Sequence, residues 1–268
     1  MNGIQVHPCF STAAHYQYGR LHLPIAPLCN IVCSYCERKF DCPNEARPGV
    51  SSHVMSEIEA LDYARSYLRQ HPETTVVGIA GPGEPLVNPT TFFVLSRLQG
   101  VIKCVSTNGL LLPKRLKNLQ HCGVDALTVT INTLRPATAL QLYQGVDTEQ
   151  LLHCQQYGAT LAIQKGMHVK INTVLVTGIN DTEAEILPIA EFAASIGAKA
   201  MNINALIPAG SLKDASAPNL HKVQYLREAA SKYIPQFRHC RQCRADAAGI
   251  PGQESLTTAM IDKVQIPA

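Results

Sequence analysis

Three cysteines spaced C-x3-C-x2-C, Cys29, Cys33 and Cys36, carry the most specific chemical signal in this 268-residue chain. They lie in the stretch CNIVCSYCERKFDC (29–42), with Cys42 six residues further on. Thiolates are the preferred ligands of iron–sulfur clusters. Three on one short loop can hold three irons of a [4Fe-4S] cube and leave the fourth iron open, which suits binding a small molecule better than electron transfer alone. A structural zinc site would want four closed ligands, and Cys42 could complete one.

The chain has ten cysteines. Its N-terminus, MNGIQVHPCF, has neither a basic n-region nor a long apolar h-region, so export is not expected and the chain reads as cytoplasmic. In a reducing compartment, clustered cysteines bind metal or do chemistry more often than they form disulfides. Further ligand candidates are Cys9 in HPCFS, Cys104 in CVSTNG, and the C-x2-C pair Cys240 and Cys243 beside His239. Cys122 and Cys154 stand alone in helical contexts and read as inert small hydrophobes. A net charge of +3 without a Lys/Arg run argues against a nucleic-acid partner, and no long apolar stretch indicates a membrane.

These residues need a scaffold, and the hydrophobic pattern supplies one. Strands are expected at 20–27, 75–80, 101–106, 126–131, 168–176 and 200–206. Helices are expected at 56–70, near 90–99, 114–121 and 148–165, at 182–197, and near 220–233. The first opens with a capping box, Ser56 and Glu59, and has Ile58, Leu61, Ala64 and Leu68 on one face. Six βα units with mostly apolar strands predict an α/β fold, a partial and open (βα)6 barrel. One domain is expected: an N-terminal extension (1–19), the core (20–206) and a C-terminal extension (207–268) that could fold over the barrel mouth. The polar motifs GPGEP (81–85), STNG (106–109), TINTLR (130–135) and INTVLV (171–176) fall at or near the C-terminal ends of strands, where α/β barrels build active sites.

C-x3-C-x2-C after the first strand of such a TIM-like barrel resembles the radical S-adenosylmethionine (SAM) superfamily. Tyr35 matches the aromatic that lies by the adenine in that family, and GPGEP resembles its Gly-Gly-Glu-Pro motif. The resemblance implies that the backbone around Gly83, together with Glu84, meets the SAM amino group. Ser106, Asn108, Asn132 and Asn172 are candidates for ribose contacts, and each reads equally well as a turn or cap residue. HPCFS, CNIVCSYCERKFDC, NEARPGV, CVSTNG and HCRQCRADAAG are similar to the NifB family of nitrogenase cofactor biosynthesis proteins, over about residues 7–250. The length resembles the form with the SAM domain alone.

That resemblance implies three [4Fe-4S] units, one that binds SAM and two substrate clusters, K1 and K2. These are fused with a SAM-derived carbide and an added sulfur into an [8Fe-9S-C] precursor of the iron–molybdenum cofactor. One SAM donates a methyl group, and a second is cleaved to a 5′-deoxyadenosyl radical that starts the methyl group's conversion. Cys9, Cys42 and Cys104 are then K1 candidates, with His7 as a further ligand; Cys240 and Cys243 are K2 candidates, with their third ligand open. His7 and His239 could instead hydrogen-bond ligand cysteines, whereas His15 and His22 read as ordinary satisfied histidines. Glu45, Arg47 and Arg244 read as structural ion pairs. Implied partners are an iron–sulfur cluster donor, a low-potential ferredoxin-like electron donor, and NifX-like or NifEN-like carrier or scaffold proteins. Two other readings stand beside this one: another radical SAM enzyme with auxiliary clusters, of peptide-modifying or activating type, and a non-catalytic iron–sulfur carrier.

Overall fold

The computed structural model describes residues 3–253. Six strands run parallel in sequence order: β1 (Gly19–His22), β2 (Thr74–Ile79), β3 (Ile102–Thr107), β4 (Ala126–Thr130), β5 (His168–Leu175) and β6 (Ala200–Ala205). Between them and after the last lie α1 (Glu57–Gln70), α2 (Pro89–Arg97), α3 (Leu112–His121), α4 (Thr148–Gln164), α5 (Glu183–Ser195) and α6 (Leu220–Ser231). The expected open (βα)6 barrel is present. Successive strand residues point to opposite faces. Leu21, Val77, Val105, Leu127, Val129, Ile171 and Ile203 point outward into the helices and are fully buried. Burying each such side chain contributes about 1.5–3 kcal/mol.

The inward faces are different. Arg20 and His22, Cys104 and Ser106, Thr128 and Thr130, Lys170 and Asn172, and Asn202 and Asn204 line an interior cavity of about 340 Å³. Polar residues alternate with apolar ones as in a half-exposed sheet, but the polar face encloses a chamber.

The two extensions close that chamber. From below, Ile4, Val6 and Phe10 pack on Val76, Ile102, Cys104 and Ala126. On the open side, the tail spans the unpaired edges of β6 and β1. The Phe237 amide donates to the Met201 carbonyl (2.8 Å), the His22 amide donates to Ala247 (2.9 Å), and Ala248–Gly249 pairs antiparallel with β1. The tail therefore seals the side of the barrel, and its 242–246 segment reaches the end of β6 and the loop after β1 at the mouth. Each edge gains partners for backbone groups that would otherwise be orphaned.

Arg244 fastens this tail. Its guanidinium donates to both Asp246 carboxylate oxygens (2.8 Å each), to the Glu45 carbonyl and to Ser52 Oγ. Arg47 pairs with Glu45 and Glu37, so the charged residues of NEARPGV and HCRQCRADAAG form one clasp between loop and tail, the structural role expected of them. Asp246→Ala removes the buried half of a charge pair and is expected to cost about 3 kcal/mol in denaturant unfolding of the cluster-free protein.

The helices depart from expectation in two places. Ile58 is 62% exposed, and the buried stripe of α1 is Ala60, Leu61, Ala64 and Tyr67. The capping box at Ser56 and Glu59 is present, so the helix starts where expected but is rotated towards its alanines. A short helix, Pro136–Leu142, was not anticipated; Pro at its first turn and the i,i+3 pair Ala139 and Leu142 were its only signals.

Candidate active site

The three-cysteine loop leaves β1 and is clamped on both sides. Val32–Cys33 pairs with Tyr143–Gln144, just after the short helix, and the Ser34 amide and hydroxyl donate to Leu142 and Gln141 (2.9 and 2.8 Å). Opposite, Leu212 N and Ser211 Oγ both donate to the Ser34 carbonyl (3.1 Å each). Cys29, Cys33 and Cys36 are half-buried and face the chamber from its upper end. Burial pushes the Cys33 and Cys36 thiols up, and neighbouring cysteines add to it. Thiolates there need compensating positive charge, which the irons of a cluster would bring. The donor set fits a [4Fe-4S] cluster with three protein ligands.

The glycine-rich turn lies against this loop. Gly83 N donates to the Ala26 carbonyl (2.6 Å) and Glu84 N to Leu28 (2.8 Å). A Cβ at position 83 would sit inside the Leu28 carbonyl and 2.9 Å from the Ala26 oxygen. Only glycine permits this approach. Gly83→Ala is expected to push the turn off the loop and cost at least tenfold in SAM affinity, about 1.4 kcal/mol, readable by equilibrium dialysis on reconstituted protein.

Glu84 is buried, and its carboxylate accepts from Leu86 N (3.0 Å), Thr107 Oγ1 (2.6 Å) and Asn108 N (2.7 Å). Burial raises its pKa against the opposing pull of these three bonds. It ties the end of β3 to the turn and also faces the chamber. Asn108 reaches Asn30 Oδ1 through its amide (2.8 Å). Asn172 accepts from Asn202 and Asn204 (2.9 and 3.0 Å), making an asparagine ladder across β5 and β6 that sequence reading missed apart from Asn172. Ser106, Asn108 and Asn172 line the chamber, as ribose contacts would require.

Asn132 does not line it. It is fully buried, donating to Tyr35 Oη (2.7 Å) and accepting from Val174 N (2.8 Å), while its carbonyl accepts from Asn180. The ribose reading of Asn132 gives way to a positioning role: it fixes the Tyr35 ring at the chamber wall.

The lower end holds the remaining ligand candidates. Cys9 arrives on the N-terminal segment, Cys104 projects from β3, and the tail brings Cys240 and Cys243. Burial pushes the Cys104 thiol up to about 12 and that of Cys243 up to about 11. Cys9 adds to both shifts, as a neighbouring acid would. His7 is buried; its Nδ1 accepts from Cys9 N (3.0 Å), and its Nε2 is buried without a hydrogen-bond partner. Ligation through Nε2 would require the ring proton to move to Nδ1 and the Cys9 bond to yield. His22 also lines the chamber, which sequence reading did not anticipate. His239 instead bonds Tyr16 Oη (3.0 Å) outside the chamber wall, and His15 bonds the Pro8 carbonyl (2.9 Å).

Cys42 is the exception among the assigned cysteines. It lies outside the chamber wall, with its Sγ 3.8 Å from Glu45 Oε1 and its amide on the Ser51 carbonyl (3.0 Å). The structure brings Cys9 and Cys104 together with the tail pair and does not bring Cys42 to them. Cys122 and Cys154 are also outside the chamber.

Comparison with known proteins fits this geometry. The Radical SAM superfamily profile matches residues 23–192. The FeMo cofactor biosynthesis protein NifB of Methanocaldococcus infernus is 40% identical, over 94% of this chain and 88% of that protein. The chain belongs to the NifB family of radical SAM proteins. A second NifB, from Azotobacter vinelandii, is 35% identical over 98% of this chain but only 56% of its own length. The chain thus spans little more than half of that NifB. The fold matches Streptococcus suis SuiB (TM-score 0.62, 14% identity, 80% of this chain and 46% of that one). It also matches a radical SAM methyltransferase from Sphaerobacter thermophilus (TM-score 0.54, 18% identity, 82% and 64%). Membership in the superfamily implies a [4Fe-4S] cluster and SAM for this NifB relative. Among the described residues, no helix is long and apolar enough to cross a membrane.

Proposed function

We propose that this NifB-family chain fuses two [4Fe-4S] substrate clusters with a SAM-derived carbide and an added sulfur into the [8Fe-9S-C] precursor of the nitrogenase cofactor. One observation carries the reading. A single chamber has Cys29, Cys33 and Cys36 at its upper end and Cys9, Cys104, Cys240 and Cys243 at its lower end. Two donor sets facing one shared space suit a reaction in which SAM-derived carbon must reach a bound cluster without first escaping into bulk water.

When bound, the three-cysteine cluster supplies an electron and an open iron for SAM. The chain's residues supply the rest. The turn at Gly83 and Glu84 offers carboxylate and carbonyl acceptors for the SAM ammonium. Tyr35, held by Asn132, bounds the adenine side, and Ser106, Asn108 and Asn172 offer polar atoms to the ribose. The lower cysteines, with His7, hold the cargo, and Cys42 stays outside the chamber on Glu45. The barrel, the N-terminal segment packed beneath it and the tail limit the access of water. The substrate clusters would come from an iron–sulfur donor, electrons from a low-potential ferredoxin-like protein, and the product would leave to a NifX-like or NifEN-like carrier.

Reaction of the reconstituted protein with methyl-labelled SAM and reductant tests the reading. It requires 5′-deoxyadenosine together with label in a cluster that activates apo-nitrogenase. 5′-Deoxyadenosine with no label in any cluster would favour a radical SAM enzyme acting on a peptide instead.

A further inference from the structure

The charges on the chamber wall are unevenly placed, with Arg38 beside the three-cysteine loop at the SAM end. Glu84, at the SAM end, is the only Asp or Glu side chain on that wall among the described residues. The lower end carries two buried cations, Arg20 (0% exposed) and Lys170 (4% exposed). Arg20 donates to the Gly249 carbonyl (2.6 Å) and to Cys243 Sγ (3.1 Å). Lys170 projects from β5, and its ammonium donates to the Cys9 carbonyl (2.8 Å). The ammonium sits between the Phe10 and Phe237 rings, 5.1 and 4.9 Å from their centroids. Among the described residues, no Asp or Glu forms an ion pair with Lys170. The aromatic faces hold the charge in place but do not neutralise it.

A buried lysine without an anion is costly, and such a charge persists where something pairs with it. The cargo end supplies candidates in kind. A cubane cluster held by three or four thiolates is a net anion, because thiolate charge outweighs that of the core. Two such clusters also repel each other, so bringing them together for fusion needs positive charge nearby. Lys170 and Arg20 stand beside the cysteines that would hold them, Lys170 on Cys9 and Arg20 on Cys243.

We propose that Lys170 is the counter-charge that admits and holds the anionic cluster cargo at the lower end of the chamber. This rests on reading the cargo as iron–sulfur clusters. Lys170 does not touch the SAM end, so its role separates from SAM binding.

The test compares wild type with Lys170→Met, Lys170→Gln and Lys170→Arg after anaerobic reconstitution. Iron per chain, the reduction potentials of the clusters and thermal unfolding of the cluster-free proteins are measured. Wild type should carry about twelve irons per chain, as three cubes require. Met and Gln variants should fall towards about four, keeping the SAM-dependent signal of the upper cluster, and Arg should restore most of the loss. Any residual lower-end cluster in the neutral variants should have a lower reduction potential, since a nearby cation favours the more negative reduced state. Full iron content and unchanged potentials in the Gln variant would overturn the proposal. They would mean that Lys170 only ties down the Cys9 carbonyl, which glutamine also can do. An Arg variant as depleted as Met, with the fold intact by thermal unfolding, would overturn it too. About four irons in wild type would instead remove the cluster-cargo reading itself, a distinct failure. Should the Met variant fail to fold, the Gln and Arg pair decides the matter alone.

Discussion

Cys33→Ala should abolish 5′-deoxyadenosine formation, a loss of at least about 10⁴-fold, and remove about four irons per chain. The expected size follows from geometry. Cys33 is the middle ligand of a loop pinned by the Tyr143–Gln144 pairing and by the Ser34 contacts. A rigid loop cannot recruit another thiol into the gap. The nearest spare candidate, Cys42, lies outside the chamber wall and contacts Glu45. Removing Cys33 leaves two ligands for a cube that must also keep one iron open. The loss should be confined to the upper end: Cys9, Cys104, Cys240 and Cys243 hang on different elements and should retain their iron. Product analysis by chromatography and iron determination on the same sample check both halves.

The second large effect lies at the lower end and has the opposite signature. The Cys240→Ala, Cys243→Ala double variant should cleave SAM in the presence of reductant, yet transfer no methyl-derived label into a cluster product. Product yield should fall at least about 10²-fold while 5′-deoxyadenosine formation stays within about threefold of wild type. The tail reaches the chamber by bridging β6 and β1 through backbone hydrogen bonds at Met201, His22 and Ala248. Those bonds do not involve the two thiols, so the wall should remain in place when the thiols are gone. Loss of both activities together would mean that the tail pair supports the upper site, contrary to the separation drawn here.

The strands and helices were legible because each carries its own period. In β3 to β6, apolar residues alternate with polar ones, and the capping box at Ser56 marks a helix start without reference to the rest of the chain. The pieces that were not legible lack such a period. Val32–Cys33, Tyr143–Gln144 and Ala248–Gly249 are two-residue pairings, too short to show alternation. Their partners are set by tertiary packing. The rotation of α1 was missed because alanine buries as readily as isoleucine when the neighbouring element lies close.

The cysteine loop was legible as chemistry from its spacing alone, and its separation from Cys42 is a matter of where the following loop goes. Asn132 and Asn172 illustrate the limit more sharply. Both were read from polar motifs on barrel strands, yet Asn172, in the middle of β5, lines the chamber while Asn132, beyond the end of β4, spends its amide on Tyr35 and Val174. Local sequence does not distinguish a polar residue that meets a ligand from one that meets the backbone. Arg20 and Lys170 were passed over for a related reason. An inward-facing charge in a strand reads as a solvent-facing one until the extensions are known to close the barrel.

The central claim is that one chamber serves a SAM cluster and two substrate clusters. Iron and acid-labile sulfide per chain after anaerobic reconstitution test it most directly. The account predicts about twelve of each, with only about a third of the iron changing its spectrum when SAM is added. About four of each, all of it responding to SAM, would contradict it.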